Sequence, residues 1–274
     1  MVGFNVFRLI CVLFLLGNIA GCQISPSIKQ ATTQDSNPVV VQQSTDAEQL
    51  YDLYEQANTA GDQVQALQYL TQAAKQGHLS AMVHLAEAYQ DGRYGINDDA
   101  QALTLLNTAA EQGSVRAMTD LGITFFKGLG VSKDLVKAQD WFQRATTLGD
   151  MKAPRYLGQI YQQEGKLQNT AKAFQYNQLA ANRGDITGAY QLATLYEQGI
   201  GVKQDYQAAL QWYAVSAQRG DIIAAPAMLA LGRMYEHGLG VTQDFQQALL
   251  WYQKAAQAGD STAQEKLAIL AEHH

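Results

Sequence analysis

The chain has 274 residues, of which 47% are hydrophobic and 16% are charged, so it carries enough apolar residues for a folded core. Its 19 Lys and Arg residues face 25 Asp and Glu residues, and the formal net charge of −6 excludes a predominantly basic protein. The sequence also lacks long basic runs and basic residues interleaved with aromatic ones. We therefore expect no nucleic acid partner.

The first 21 residues have the pattern of a signal peptide. One positive charge, on Arg8, precedes an apolar run at residues 9–16, which is too short for a span of about 20 residues across a bilayer. The segment Ala20-Gly21-Cys22 then resembles the lipobox of bacterial lipoproteins. That resemblance implies cleavage before Cys22 and attachment of lipid to it. An ordinary secretory signal that happens to contain a cysteine is the alternative.

The residue after Cys22 is Gln23. In the lipoproteins that this segment resembles, Asp at that place tends to retain the protein at the inner membrane. The resemblance therefore implies an outer-membrane lipoprotein that faces the periplasm. Cys11, the other cysteine, would leave with the signal peptide, and the mature chain would then have no thiol for a disulfide or a thiolate metal site.

Residues 22–45 are rich in Gln, Ser and Thr and contain two prolines. Such a composition buries little, and we expect a disordered tether that starts at Cys22. From residue 46 to residue 274 the chain repeats itself. The recurring glycines, in steps of 36, 36, 35, 36 and 39 residues, are Gly77, Gly113, Gly149, Gly184, Gly220 and Gly259. This period predicts a solenoid of stacked units that cover one another's apolar faces.

In each unit apolar residues recur three and four positions apart, and this spacing predicts two helices per unit. The first helix of one unit carries Ala117, Leu121, Gly122 and Phe125, and the second carries Ala138, Trp141, Phe142 and Ala145. Because tryptophan recurs at the matching places, we expect Trp141, Trp212 and Trp251 in the core. Aspartates mark the helix starts as predicted N-caps. Those before first helices are Asp150, Asp185, Asp221 and Asp260, and those before second helices are Asp134, Asp205 and Asp244.

These blocks resemble a known family. The segments Gly128-Leu129-Gly130-Val131 and Trp141-Phe142, with matching copies around Gly199 and Gly238, are similar to the Sel-one-like repeat, a relative of the tetratricopeptide repeat. The resemblance covers about residues 65–270. It implies an all-α, right-handed solenoid of about six helix–loop–helix pairs with a C-terminal capping helix. It also implies a concave inner face that binds a partner.

The segments that could indicate catalysis or metal binding are explained more simply by structural roles. The G-x-G segments recur in three units between helices, whereas a phosphate loop follows a strand and occurs once, so we predict turns. The histidines have no H-E-x-x-H spacing, and we expect His78 and His84 on different helix faces. No nucleophile elbow is present. We therefore expect that the protein is not an enzyme and binds no metal or cofactor. The sequence leaves open a catalytic pair of carboxylic acids contributed by different units.

Candidate binding residues follow from the resemblance. In tetratricopeptide repeats the inner face takes residues two before, two after and five after the central leucine of each first helix. Positions that contact a partner need not carry the same residue in every unit, whereas core positions must. The selected candidates are Phe126, Arg155, Gln159, Tyr190, Glu197, Arg233 and Glu236, with His237 beside them. The apolar insertion at residues 222–226 is a second candidate, which could instead pack against the neighbouring unit.

Three functions are compatible with these features. The first is a lipid-anchored, periplasm-facing scaffold that binds other envelope proteins, as repeat lipoproteins of this type do in secretion and polysaccharide export. The second is an immunity protein that neutralises a periplasmic toxin such as a phospholipase. The third is a hydrolase acting on cell-wall or β-lactam substrates, but the disulfides of the relatives linked to β-lactams are absent here. The sequence leaves the partner's identity and the oligomeric state open.

Overall fold

A computed structural model describes residues 46–163 and 165–273, which belong to one compact unit. The predicted signal peptide at residues 1–21, the lipidation site Cys22 and the tether at residues 22–45 lie outside the described residues. Within the described ranges the chain forms thirteen α-helices and no strand, with a short 3-10 turn at Arg93–Gly95. The predicted all-α solenoid is confirmed.

The helices form six pairs in chain order, and each helix packs mainly against its neighbours in sequence. The pairs are α1 Ala47–Thr59 with α2 Gln63–Lys75, α3 Leu79–Asp91 with α4 Asp99–Glu111, α5 Val115–Lys127 with α6 Leu135–Thr147, α7 Ala153–Gln162 with α8 Thr170–Asn182, α9 Ile186–Gln198 with α10 Tyr206–Ala217, and α11 Ala225–His237 with α12 Phe245–Gln257. The last helix, α13 Ser261–His273, packs on α12.

Within a pair, an aromatic ring of the second helix fills the space over a small residue of the first. Phe142 lies over Gly122, and an added Cβ on that glycine would come within 2.5 Å of the ring. Tyr252 lies over Gly232 in the same way. In the fourth pair Asn177, which is fully buried, takes the place of the ring. Small residues thus let the two helices approach closely, and packing of the ring replaces the missing volume.

The tryptophans do not form the centre of the core. Trp141, Trp212 and Trp251 are only half-buried and pack against its edge, whereas the aromatic residue after each one is at most 2% exposed. Cationic groups cover two of the indole rings: the Arg144 guanidinium lies 4.7 Å from the ring of Trp141, and the Lys254 ammonium lies 4.2 Å from that of Trp251. The prediction that tryptophans are core residues is therefore wrong in part, because their neighbours in sequence point inward.

The predicted aspartate caps are confirmed at every second helix named above and at α9, where Asp185 accepts from two backbone amides. In two units the first helix begins later. Asp150 Oδ1 accepts hydrogen bonds from the backbone amides of Lys152 and Ala153, and Pro154 follows directly in the first turn of α7. Asp221 does the same before Pro226. Because proline fits the first turn of a helix, each helix starts there and the aspartate caps the preceding turn.

The paired glycines act as turns, as expected. Gly128, Gly199 and Gly238 end first helices with φ between 67° and 76°, which favours glycine. The second glycine of each pair lies against the preceding unit. An added Cβ on Gly240 would come within 2.5 Å of the carbonyl carbon of Tyr206, in the first turn of α10. This glycine therefore allows close contact between successive units.

Candidate partner-binding site

A cavity of about 450 Å³ opens between α9, α11 and α13, helices that come from three successive units. We call it the C-terminal cavity. The residues that carry its chemistry are Tyr190, Glu197, Tyr213, Arg233, Tyr252 and Lys266, and an apolar wall is formed by Pro226, Leu229 and Ala230. Three of the predicted binding residues, Tyr190, Glu197 and Arg233, thus share one cavity.

Glu197 is the best-connected group of the C-terminal cavity, with a side chain only 12% exposed. Arg233 binds it through both terminal nitrogens, at 2.6 Å and 2.8 Å, and Tyr213 Oη donates to it at 2.8 Å. Burial alone would raise the pKa of Glu197, but the hydrogen bonds from Arg233 and Tyr213 hold that pKa below its ordinary value. Glu197 is therefore a carboxylate at neutral pH.

The next unit repeats this arrangement. Tyr252 Oη donates to Glu236 Oε2, with the same spacing of 16 residues that separates Glu197 from Tyr213. The Lys266 ammonium lies 3.9 Å from the same oxygen. His237, whose side chain is 53% exposed, also approaches this oxygen, at 3.9 Å from its Nε2. Two successive units therefore present a tyrosine–glutamate pair to a cation of the following first helix.

A second polar cluster lies on the first helices at the other end of the described chain. We call it the N-terminal network: Tyr51, His84, Glu87 and Arg116. Arg116 donates to His84 Nε2 at 2.7 Å and also binds Glu87, while Tyr51 Oη lies 3.0 Å from His84 Nδ1. Because arginine can only donate, Nε2 must be the acceptor and Nδ1 carries the proton of a neutral ring. Burial, and then the charge of Arg116, lower the pKa of His84.

Asp120 lies beside this network on α5. Its Oδ2 is buried and has no hydrogen-bond partner among the described residues. Burial, and after it the nearby carboxylate of Glu87, raise the pKa of Asp120 to about 7, against a smaller lowering by the charge of Arg116. Asp120 therefore exists in both protonation states near neutral pH.

The remaining predicted residues lie away from the C-terminal cavity. Arg155 forms an ion pair with Asp185 at 2.8 Å, and both side chains are at most 13% exposed, so it joins α7 to the start of α9. Phe126 contacts the rings of Phe142 and Tyr156 edge-on. Gln159 is half-buried on α7. That these residues bind a partner remains a prediction.

Sequence reasoning missed three residues of the site. Tyr213 and Tyr252 belong to second helices and Lys266 to the last helix, whereas the search used the positions of first helices only. A signal was present, since a tyrosine follows each glutamate after 16 residues where an earlier unit has Phe126 and Phe142. Polar pairs that replace apolar pairs at matching positions could have identified the site.

Other expected features differ in outcome. His78 caps the start of α3 and His84 lies within that helix, and both rings lie near that of Tyr51, with centroids 4.3 Å and 5.7 Å away. Among the described residues no cluster of three His, Cys, Asp or Glu side chains is arranged to hold a metal ion. No helix in residues 46–163 and 165–273 has the length and apolar content needed to cross a membrane.

The apolar insertion stays partly open to solvent. Ile222 and Ile223 are 58% and 50% exposed just before α11. Ile222 Cδ1 nevertheless reaches the next turn, where an added Cβ on Gly259 would lie 3.3 Å away. The insertion therefore approaches the turn that ends its own helix pair, after α12, and still exposes two isoleucines. Whether it binds a partner or packs against the neighbouring unit stays a prediction.

Comparison with known proteins gives the same repeat. Six segments match the Sel1 repeat, at residues 52–78, 79–114, 115–150, 155–185, 186–221 and 225–260. The chain is 36% identical over 163 residues to the DAP3-binding cell death enhancer 1 of Rattus norvegicus, covering 59% of this chain and 32% of that protein. It is 37% identical over 84 residues to an ERAD-associated E3 ubiquitin-protein ligase component of Arabidopsis thaliana, covering 30% of this chain and 13% of that protein. The chain thus spans a third or less of these relatives.

Solved structures share the architecture. A protective antigen of uropathogenic Escherichia coli strains is 30% identical with a TM-score of 0.72, covering 84% of this chain and 50% of that one. A Sel1 repeat protein of Oxalobacter formigenes is 30% identical with a TM-score of 0.68, covering 82% and 87%. An immunity protein of Pseudomonas aeruginosa shares the fold at 23% identity and a TM-score of 0.54, covering 77% and 82%. Stacked repeats of this type are suited to protein–protein interaction, and the chain belongs to the Sel1 repeat family.

Proposed function

We propose that the protein is a non-catalytic adaptor that binds another envelope protein through the C-terminal cavity, while lipid on Cys22 anchors it to the outer membrane, facing the periplasm. The observation that carries the binding proposal is the cavity itself. Tyr190, Glu197 and Arg233 come from two units and meet in one opening of about 450 Å³, and their positions in the repeat match the inner-face positions of tetratricopeptide repeats.

The residues of the cavity support binding more than catalysis. Glu197 in the cavity and Glu236 beside it each accept a hydrogen bond from a tyrosine hydroxyl and face a cation, so neither carboxylate is poised as a free general base. Tyrosine and arginine are also the side chains that most often contribute binding energy in protein interfaces. Hydrolysis of a chromogenic β-lactam or of a peptidoglycan fragment by the purified protein would contradict this part of the proposal.

The test of binding is crosslinking in living cells followed by affinity purification and mass spectrometry. We expect one abundant envelope protein to be recovered with the wild type and strongly reduced with the double variant Tyr190→Phe, Lys266→Gln. Tyr190→Phe keeps the ring that packs on Tyr213, and Lys266→Gln places no second carboxylate beside Glu236, so both changes preserve the packing around the cavity. The control Lys203→Glu changes an exposed loop and should retain the partner. Equal recovery with all three proteins would place the contact elsewhere.

The anchor is tested separately. Cells labelled with an alkyne analogue of palmitate should yield labelled wild-type protein in the outer-membrane fraction. The variant Cys22→Ser should lose the label and leave that fraction, because several acyl chains are needed for stable attachment. A wild-type protein without label, or one found in the inner membrane, would contradict the proposed anchor or its location.

The alternative function is that of an immunity protein. It is supported by the fold that the chain shares with the Pseudomonas aeruginosa immunity protein, and that likeness concerns the fold alone. The two functions differ in the origin of the partner. An adaptor binds a protein of its own cell, whereas an immunity protein binds an incoming toxin. If cells need this gene to survive a periplasmic phospholipase toxin, the immunity function would be favoured over the adaptor function.

A further inference from the structure

We propose that the C-terminal cavity recognises an acidic side chain in an extended segment of the partner protein. This inference rests on the proposed adaptor function and adds the chemistry of the partner. It follows from a count of the hydrogen-bond donors and acceptors that the cavity leaves unused.

The cavity has several donors without acceptors among the described residues. Arg233 has five N–H groups, and its two contacts with Glu197 leave others free. The Tyr190 hydroxyl makes no hydrogen bond to the described residues, although its ring packs 5.6 Å from that of Tyr213. The Lys266 ammonium lies 3.9 Å from Glu236, which is beyond hydrogen-bond range. Three side chains from three helices therefore offer donors to the cavity.

The carboxylate that lines the cavity, Glu197, and the neighbouring carboxylate of Glu236 already have hydrogen-bond donors. Glu197 receives hydrogen bonds from Arg233 and Tyr213, and Glu236 receives one from Tyr252. A ligand group that fits must therefore accept several hydrogen bonds at once. A carboxylate does so, and charge-assisted bonds to it are stronger than neutral ones.

The charges favour a singly charged anion as the ligand. Arg233 and Lys266 line the cavity together with one carboxylate, Glu197, and a second carboxylate, Glu236, lies beside the cavity against Lys266. A phosphate group carries close to two charges at neutral pH and would be repelled more strongly by these carboxylates. A glutamate or aspartate side chain meets the same donors with half that charge.

The wall of the cavity specifies the rest of the segment. Pro226, Leu229 and Ala230 form an apolar surface on α11 next to Arg233. A volume of about 450 Å³ accommodates only a few residues of an extended chain. The expected motif is an acidic residue with an aliphatic neighbour.

The experiment uses the full-length protein in detergent and a phage library of random heptapeptides. Selected peptides are made synthetically, each with a copy in which the shared acid is replaced by Asn or Gln. Binding is measured for the wild type, Tyr190→Phe and Lys266→Gln. The matched controls are Tyr196→Phe, on the same helix but packed on Phe174, and Lys203→Gln in an exposed loop.

We expect the selected peptides to share Asp or Glu at one position, and replacement of that acid to weaken binding about tenfold or more. Tyr190→Phe and Lys266→Gln should each weaken binding by about three- to tenfold, with smaller effects at high salt for the lysine. Both controls should bind like the wild type.

Peptides that bind without a shared acid, or that bind both cavity variants as well as the wild type, would overturn this inference and leave the adaptor function standing. Recovery of a cellular partner without any selected peptide would do the same. If crosslinking recovers no partner that depends on the cavity, the proposed function itself fails.

Discussion

In the C-terminal cavity Glu197 is bound by a tyrosine and an arginine, whereas beside the N-terminal network Asp120 Oδ2 is buried without a hydrogen-bond partner among the described residues. Both acids lie on first helices of the same solenoid. The pKa of Glu197 is lowered because its hydrogen bonds outweigh burial. The pKa of Asp120 is raised to about 7 because burial and the carboxylate of Glu87 outweigh the charge of Arg116. The same fold therefore supports one region of fixed charge and one whose charge depends on pH.

This difference arises at positions that the repeat leaves free. The central leucines Leu121, Leu192 and Leu231 are at most 1% exposed, since each unit needs the same core contact. Five residues after them the chain has Phe126, Glu197 and Glu236. Constant core positions preserve the stacking, and the variable positions beside them determine what each region can bind.

The largest expected effect is at the ion pair that lies between the two regions. Asp185→Ala leaves the buried Arg155 without its partner and removes the cap of α9. We expect the free energy of unfolding to fall by about 3–5 kcal/mol, measured by urea denaturation. The matched control is Asp221→Ala, because Asp221 pairs with Arg219 at an exposed turn and should show a clearly smaller loss. Equal losses would mean that burial of the pair contributes nothing.

The next effect concerns pH. The pKa of Asp120 is raised in the folded state, so its contribution to stability is full below the unfolded value of 3.8 and is lost as the pH rises through about 7. Asp120→Asn removes this loss. We expect the variant to be more stable than the wild type at pH 8, by on the order of 2 kcal/mol, and the advantage to shrink towards pH 4.

The effect of Asp120 has to be measured by comparing variants, because His84 changes the stability with pH in the opposite direction. Its lowered pKa means that acid protonates it more easily in the unfolded chain, so stability falls as the pH drops below about 6.5. Urea denaturation between pH 4 and pH 8 separates the two, since Asp120→Asn keeps His84. Asp140→Asn, at an exposed ion pair with Arg144, is the control and should follow the wild-type profile. A pH-independent difference between Asp120→Asn and the wild type would contradict the prediction.

The smallest effect tests the tyrosine–glutamate pair. Tyr213→Phe removes one hydrogen bond to the Glu197 carboxylate, and we expect a loss of about 1.5 kcal/mol in the free energy of unfolding. The pKa of Glu197 should rise, which NMR titration of its carboxyl group can measure. Tyr190→Phe removes a hydroxyl that makes no hydrogen bond to the described residues, and it should change stability by less than about 0.5 kcal/mol. A similar loss for both variants would show that the pair has no special role.

Much of the fold could be predicted because its signals are local. The 36-residue glycine steps, the aspartate caps and the three- and four-residue apolar spacing each depend on contacts within one helix or one turn. The same local rules failed for the tryptophans, since half-burial under Arg144 or Lys254 depends on how far each helix is rotated. They also missed the late start of α7, where Pro154 competes with the preceding Asp150.

The candidate site was only partly accessible to sequence reasoning. Tyr190, Glu197 and Arg233 were selected from positions within a repeat, and they do meet in one cavity. Arg155 was selected by the same rule but is held by Asp185. Sequence spacing places a residue on a face of its own helix, whereas its partner belongs to another helix about 30 residues away. Whether such a side chain is paired or free therefore depends on the stacking between units.

The sequence by itself determined the helices, their pairing into repeats and the turns between them, because periodicity, capping and glycine conformation act over a few residues. Only the tertiary structure decided which charges are paired. The contacts Arg155–Asp185, Glu197–Arg233 and Arg116–His84 each join different units at 2.8 Å or less. Contacts of that range form or fail with small rotations of whole helices, which no local pattern encodes.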